Sequence, residues 1–297
     1  MKNHLRRTAG DWVFDITVGV LVALIIIATL YPVIYTFSMA ISNPIDAARG
    51  NVWLLPVGFD LTAVQTVLSD NDIWVYYGNT LWYTVMGTLT GIITTSLLAY
   101  PLSRPEFKGR GVLMRLVMVT MFFGGGMIPS YIVISKYLHL YNNRLALILP
   151  ALTTAWYVVV ARSFFETLPS EIIESARIDG ASEYRIFLQL VLPLSKPVIA
   201  VLALYLAVSH WNGYFDALLY LGKKALQPLS LYIRSVVVQS SLTTLADAAE
   251  DISPDVLLSS LQIKYAVILV SVVPMLAIYP FLSGYLEKGL LVGSLKG

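Results

Sequence analysis

Five charged side chains fall within a dozen residues around one glycine: Glu174, Arg177, Asp179, Glu183 and Arg185 flank Gly180 in the stretch ESARIDGASEYRIFLQLVLPLSKP, residues 174–197. Charges of both signs at this density suit the fixing of a macromolecular partner in one orientation. Ser175 and Ala176 add almost no bulk beside them, so another surface could approach the backbone closely. An amphipathic helix lying in the lipid headgroups is the competing reading. Such helices are usually rich in Lys and Arg on the polar face, whereas acids are in excess here, which favours docking.

A second set lies further along. Tyr205, Ser209, Asn212 and Asp216 follow one another at steps of four, three and four, the spacing of one helix face. Trp211, Tyr214 and Phe215 flank them. A polar stripe edged by aromatics fits a pathway for a solute that presents both C–H and O–H surfaces. The same stripe fits hydrogen bonding to a partner helix, and the residues alone leave both readings open. An Asp at the centre of a spanning helix costs about 2.5–3.5 kcal/mol, so Asp216 is expected to face protein or water.

Catalytic chemistry finds little support. Ser209 and His210 are adjacent on one helix and point apart, a poor nucleophile–base pair. No G-x-x-x-x-G-K-[ST] occurs, and LGKKA at 221–225 lacks both the preceding Gly and the hydroxyl residue. There is no Cys, which excludes disulfides and thiol chemistry. His4, His139 and His210 are too scattered for a metal pair.

The elements that must position these residues are apolar helices. Of the 297 residues, 57% are hydrophobic and 13% charged, against about 25% charged in soluble domains; the mean hydropathy is +0.72. The net charge of +2 and the lack of a basic aromatic tract give no support to nucleic-acid binding. A spanning helix needs about 20 apolar residues, and six runs qualify: 13–39, 79–102, 112–135, 145–165, 197–221 and 265–286. The first is too long for a cleaved signal segment and is read as a retained helix. With the N-terminus inside, thirteen of the 20 Lys and Arg fall on the inner side and seven outside, which places both termini in the cytoplasm. A tail of residues 1–12, one transmembrane domain over 13–290 and a tail of 291–297 follow.

Residues 40–78 and 222–264 then lie outside, and the charged segment 169–195 lies inside. Ser170 is expected to cap a short helix that Gly180 ends, with a second helical piece over 181–191. GGG at 124–126 permits close backbone packing, the favoured reading, or local unwinding.

Glu174-Ser175-Ala176, then Gly180, then Leu190-Val191-Leu192-Pro193 resembles the cytoplasmic EAA loop of the permease subunits of ATP-binding-cassette importers. Ser175 replaces one Ala, small for small. LLPVGFDLTAVQTVLSDNDIWVYYGNTL, AYPLSRPEFKGR and WNGYFDALLYL resemble segments of the carbohydrate class. FFGGGMIPSYIVISKYLHLYNNRLALILP and QPLSLYIR resemble its oligosaccharide and polysaccharide branch.

The resemblance implies an all-α integral membrane protein of six transmembrane helices, with a cytoplasmic coupling helix between the fourth and fifth. It implies that Glu174, Ser175, Ala176, Arg177, Asp179, Gly180 and Pro193 belong to the loop that docks the ATPase. It also implies a second homologous permease, two ATPase subunits that use ATP and Mg, and an extracytoplasmic solute-binding protein. This chain itself is expected to bind no cofactor and to catalyse nothing. The loop pattern alone also fits importers of peptides, polyamines or phosphate. An ion-coupled secondary transporter needs coupling carboxylates near the midplane and usually repeated halves; Asp216 is the only candidate carboxylate and no repeat is visible.

Overall fold

The computed structural model describes residues 9–247 and 261–277, and these are helical with no strand among them. The helices are α1 (Ala9–Ala40), α2 (Pro44–Ala48), α3 (Thr62–Ser69), α4 (Asn71–Ser103), α5 (Arg110–Phe122), α6 (Met127–Ile132), α7 (Leu145–Ile148) and α8 (Ala155–Phe165). After them come α9 (Ser170–Ile178), α10 (Glu183–Ile186), α11 (Leu192–Leu194), α12 (Lys196–Asn212), α13 (Phe215–Tyr220), α14 (Leu229–Asp247) and α15 (Leu261–Ala277). Two π-helical turns, Val133–Tyr137 and Phe187–Val191, extend α6 and link α10 to α11.

The chain divides into two compact units, one formed by residues up to 70 with 236–273 and the other by 71–235 with 274–297. In the first, α1 is apolar around its whole circumference and exposed over most of its length, as a helix bathed in lipid must be. Its C-terminal end is the anchored part: Met39, Ala47 and Val52 form a small core with Tyr35, Leu261 and Tyr265. The Gln262 amide donates to the Ser42 carbonyl, and Ser42 Oγ receives the Val57 N–H at 3.1 Å.

The second unit is built on α4, against which α8 and α12 pack. Its main core joins Ala99, Tyr100 and Leu102 of α4, Met114 of α5, Val158, Ala161 and Phe165 of α8, and Val198 and Leu202 of α12. Ile173 of α9 and Ile186, Phe187 and Val191 beyond it enter the same core. At the other end of α4, Asn79 is buried; its amide donates to the carbonyls of Ala225 (2.8 Å) and Gln227 (3.1 Å), and its oxygen accepts from Arg144 (3.0 Å).

Among the described residues, α1 and α4 are the single helices long and apolar enough to cross a bilayer, with up to four crossings there if each bent pair counts as one. The run 112–135, expected as one span, is α5 and α6 bent by 110° at residues 123–126. Gly126 has φ +83° and ψ 163°, a backbone region open essentially to Gly alone. A Cβ added at Gly124 or Gly125 would meet nothing within 4 Å. The triple glycine therefore unwinds the helix here, and the expected close packing is not found within the chain.

The run 145–165 divides around Pro150, leaving α8 with 11 residues, about 16 Å of helix at 1.5 Å per residue. The run 197–221 stops at Gly213 and resumes as α13. Of the run 265–286, residues 265–277 lie in α15 and 278–286 are outside the described residues.

Candidate functional site

The expected helix–break–helix is present. Ser170 is the first helical residue of α9 rather than its cap; Pro169 takes that position, with no side-chain cap. The helix ends at Asp179, and Gly180 turns the chain with φ +79°, a conformation costly for residues bearing a Cβ. Ser182 then caps α10, its hydroxyl accepting the Arg185 N–H at 3.3 Å. The expected second piece over 181–191 is a single turn of α-helix followed by a π-helical turn.

A helix of nine residues is too short to stand alone, so burial must hold α9 in place. Ile173 is 4% exposed in the main core, and Ala176 packs beside it. About half a turn of rotation separates these from Glu171, Glu174, Ser175 and Ile178, which are all exposed, Ile178 at 87%. Ser175 and Ala176 therefore do not share a surface, because adjacent helical residues point about 100° apart. The outward stripe combines two acids, one small hydroxyl and one large apolar side chain.

Arg177 faces inward as well. Its Nε donates to Glu183 Oε1 at 2.7 Å and its Nη1 to Glu106 Oε1 at 3.3 Å. Tyr100 donates to the other Glu183 oxygen at 3.0 Å. The guanidinium thus ties α9 to α10 and to the 104–109 loop. The Glu183 hydrogen bond holds Arg177 above the ordinary guanidinium range. Glu106 is held below the ordinary carboxyl value by a bond from its own backbone N–H and by Arg177. These groups rim a hollow of about 440 Å³ lined also by Leu97, Phe107 and Phe187. Asp179 and Arg185 line a separate hollow of about 310 Å³. Pro193 is exposed in α11, just before an 80° bend at Ser195; it belongs to the bend and lies outside the α9 stripe.

The second residue set does not form one continuous stripe. Tyr205, Ser209 and Asn212 lie on α12 and are exposed. Asp216 sits on α13, beyond a break at Gly213 where ψ swings to 112°. Tyr205 meets Trp156 edge-on at 5.2 Å. Trp211 is 6% exposed and turned edge-on to Tyr77 at 6.4 Å, so it packs inside the unit instead of flanking a ring site. Tyr214 remains accessible, with the Arg234 guanidinium 5.7 Å above its ring. The break re-aims Asp216: it lines a cavity of about 130 Å³ with Ser209, His210 and Tyr83.

The sequence pattern gives His210 no role beyond a poor pairing with Ser209, and it does not single out Ile178. The signal for Ile178 was available. Its position seven residues from Glu171 and four from Glu174 places it on their face.

Residues 87–292 match the model of the family described as binding-protein-dependent transport system inner membrane component. Protein LplC of Bacillus subtilis is 38% identical over 294 residues, covering 99% of this chain and 98% of its own. The polygalacturonan/rhamnogalacturonan transport system permease protein YtcP of the same organism is 35% identical and covers 100% of both chains. Among solved structures, a bacterial ABC transporter involved in the import of the acidic polysaccharide alginate matches with a TM-score of 0.84 at 33% identity, covering 95% of this chain and 99% of that one.

Proposed function

The chain belongs to the family of binding-protein-dependent transport system inner membrane components, and from that premise we propose that it is one of two paired permease subunits in an ATP-driven importer of sugars or oligosaccharides. Relatives named for polygalacturonan/rhamnogalacturonan, arabinooligosaccharides and melibiose/raffinose/stachyose support the solute class. In this reading the chain crosses the cytoplasmic membrane six times with both termini inside. Separate ATPase subunits hydrolyse ATP with Mg, and an extracytoplasmic binding protein delivers the solute.

The observation that carries the reading is the two-sided character of α9. Ile173 and Arg177 fasten one side to the bundle, while Glu171, Glu174, Ser175 and Ile178 stand free on the other. A helix fixed this firmly and yet exposing an isoleucine at 87% is suited to seat in a partner's cleft and transmit its movement. Glu174, Ser175 and Ile178 make the contact; Ala176, Arg177 and Asp179 hold the helix; Gly180 and Pro193 shape the turns around it. Tyr205, Ser209, Asn212 and Asp216 face the solute.

The test is affinity purification of the tagged chain from its host in mild detergent, with and without the double substitution Glu174→Arg, Gly180→Pro. A second permease and an ATPase should accompany the unaltered chain, and the ATPase should be lost with the altered one. Retention of the ATPase by the altered chain rejects α9 as the docking element.

A further inference from the structure

We propose that His210 and Asp216 form a hydroxyl-binding subsite for the transported solute, with Gly87 setting where the imidazole lies. The proposal rests on the reading of this chain as a carbohydrate permease, and it adds a residue and a mode of contact.

The two side chains come from different helices, and the break at Gly213 between them turns both toward one cavity of about 130 Å³. A single water needs roughly 10–15 Å³ of such space, so several waters or the hydroxyl-bearing edge of one sugar ring fit. Complete ligand pockets begin at about 300 Å³; this one is a subsite, holding part of a longer solute.

The cavity's polar capacity lies in His210, Asp216 and Ser209. Tyr83 also lines it, but its hydroxyl is committed to the Leu226 carbonyl at 2.8 Å. Among the described residues, neither the His210 ring nor the Asp216 carboxylate has a hydrogen-bond partner. His210 is half-buried and Asp216 exposed, so both can meet a ligand. Their complement is a group that both donates and accepts. A carboxylate can take both protons of a vicinal diol, and with Nε2 turned to Gly87 the imidazole offers Nδ1, as donor or acceptor, to a neighbouring hydroxyl.

Gly87 shows how the imidazole is placed. A Cβ at that position would meet His210 Nε2 first, then Cε1 at 2.5 Å and Cδ2 at 2.6 Å, so the Nε2 edge of the ring lies directly on the α4 backbone. Packing alone explains a ring against a glycine, and phenylalanine would satisfy it equally. Packing does not explain why the residue in that place is a histidine that lines one cavity with a carboxylate. That difference separates the two accounts.

The chain has no Cys, so Ala151→Cys places a single thiol in this subunit at the cavity wall. In the complete importer, reconstituted with its partners in proteoliposomes, labelling of that thiol by a small methanethiosulfonate is followed by mass spectrometry of the permease peptide. Trigalacturonate, arabinotriose and raffinose serve separately as probes, and uptake of each is measured on the same vesicles. The transported sugar should slow labelling. His210→Phe should raise the half-protecting concentration about tenfold, the scale of one net hydrogen bond, and His210→Gln should recover part of the loss. Gly87→Ala, which keeps the imidazole but displaces it, should act like His210→Phe.

Protection that survives His210→Phe in an assembled importer overturns the subsite. So does uptake of a sugar that never slows labelling; in both cases the carbohydrate reading stands. Absence of uptake for all three sugars, with ATPase activity intact, removes the carbohydrate reading and the subsite together.

Discussion

Ile178 offers the sharpest separation between a docking helix and a helix that merely lies on the membrane. It is 87% exposed, so Ile178→Ala removes almost no contact within the chain and should leave thermal unfolding of the isolated permease unchanged. If a partner buries that side chain, three carbons of apolar contact disappear, at about 0.8 kcal/mol each, or roughly 2.4 kcal/mol. With tenfold per 1.4 kcal/mol, affinity for the ATPase should fall about fiftyfold. The assay is titration of purified ATPase onto the permease in nanodiscs, read by fluorescence anisotropy, with the unfolding temperature measured in parallel. An unchanged affinity would falsify the docking stripe. A lowered unfolding temperature with unchanged affinity would instead place Ile178 in the headgroups, as an interfacial helix requires.

Ile173→Ala should have the opposite profile: removal of a side chain 4% exposed costs about 2–5 kcal/mol, so the unfolding temperature drops and solute uptake per ATP hydrolysed falls as α9 loosens. Glu106 is held below its ordinary value of 4.5, so its contribution is present above that pH and lost as pH falls through the depressed value; Glu106→Gln should flatten the acid limb of thermal stability. Arg177 is shifted upward and stays charged throughout that range, so it adds no slope of its own. Gly126→Ala forces a side chain into a glycine-only conformation and should destabilise by about 1–3 kcal/mol, while Gly124→Ala, with open space around it, should be nearly silent in the same unfolding measurement. Asn79→Ala removes hydrogen bonds to two partly buried carbonyls and to Arg144 and should cost about 1 kcal/mol; an unfolding temperature equal to that of the unaltered chain would show that water replaces the amide.

The positions of the helices were legible because long apolar runs have few alternatives. Their continuity was not. Gly124–Gly126, Pro150 and Gly213 were all visible as breakers, yet counting twenty apolar residues favours an unbroken span, and it does so wherever neighbouring helices can satisfy the freed backbone groups. The loop motif was legible through its spacing, and the turn at Gly180 followed from it. Which residues of α9 face outward required one further step, the division of the helix by rotation, which separates Ser175 from Ala176. The fate of Arg177 could not be read at all. Its partner Glu106 lies 71 positions away, and nothing local distinguishes a guanidinium that docks a partner from one that closes a loop. The Tyr205–Asp216 stripe failed for the same reason as the spans: its spacing assumed a helix running through Gly213.

These corrections bear on how a push at the inner face could reach the solute. A rigid span would carry movement as one rod. Here the Ser103 end of α4 and the Lys196 end of α12 share a packed core with Ile173 of α9, so displacement of α9 is resisted by close-packed side chains and passes into both helices. Further along, the two helices meet where His210 lies on Gly87, and beyond that contact the chain breaks at Gly213 and redirects to Asp216. The stiff segment therefore ends one residue beyond Asn212, and the hinge falls between the two groups proposed to hold a hydroxyl. A change in the angle between α12 and α13 alters the His210–Asp216 spacing directly, whereas a continuous helix would keep it fixed. A subsite divided by a hinge can grip in one state and release in another, and this gives a physical use to a break that would otherwise only weaken the span.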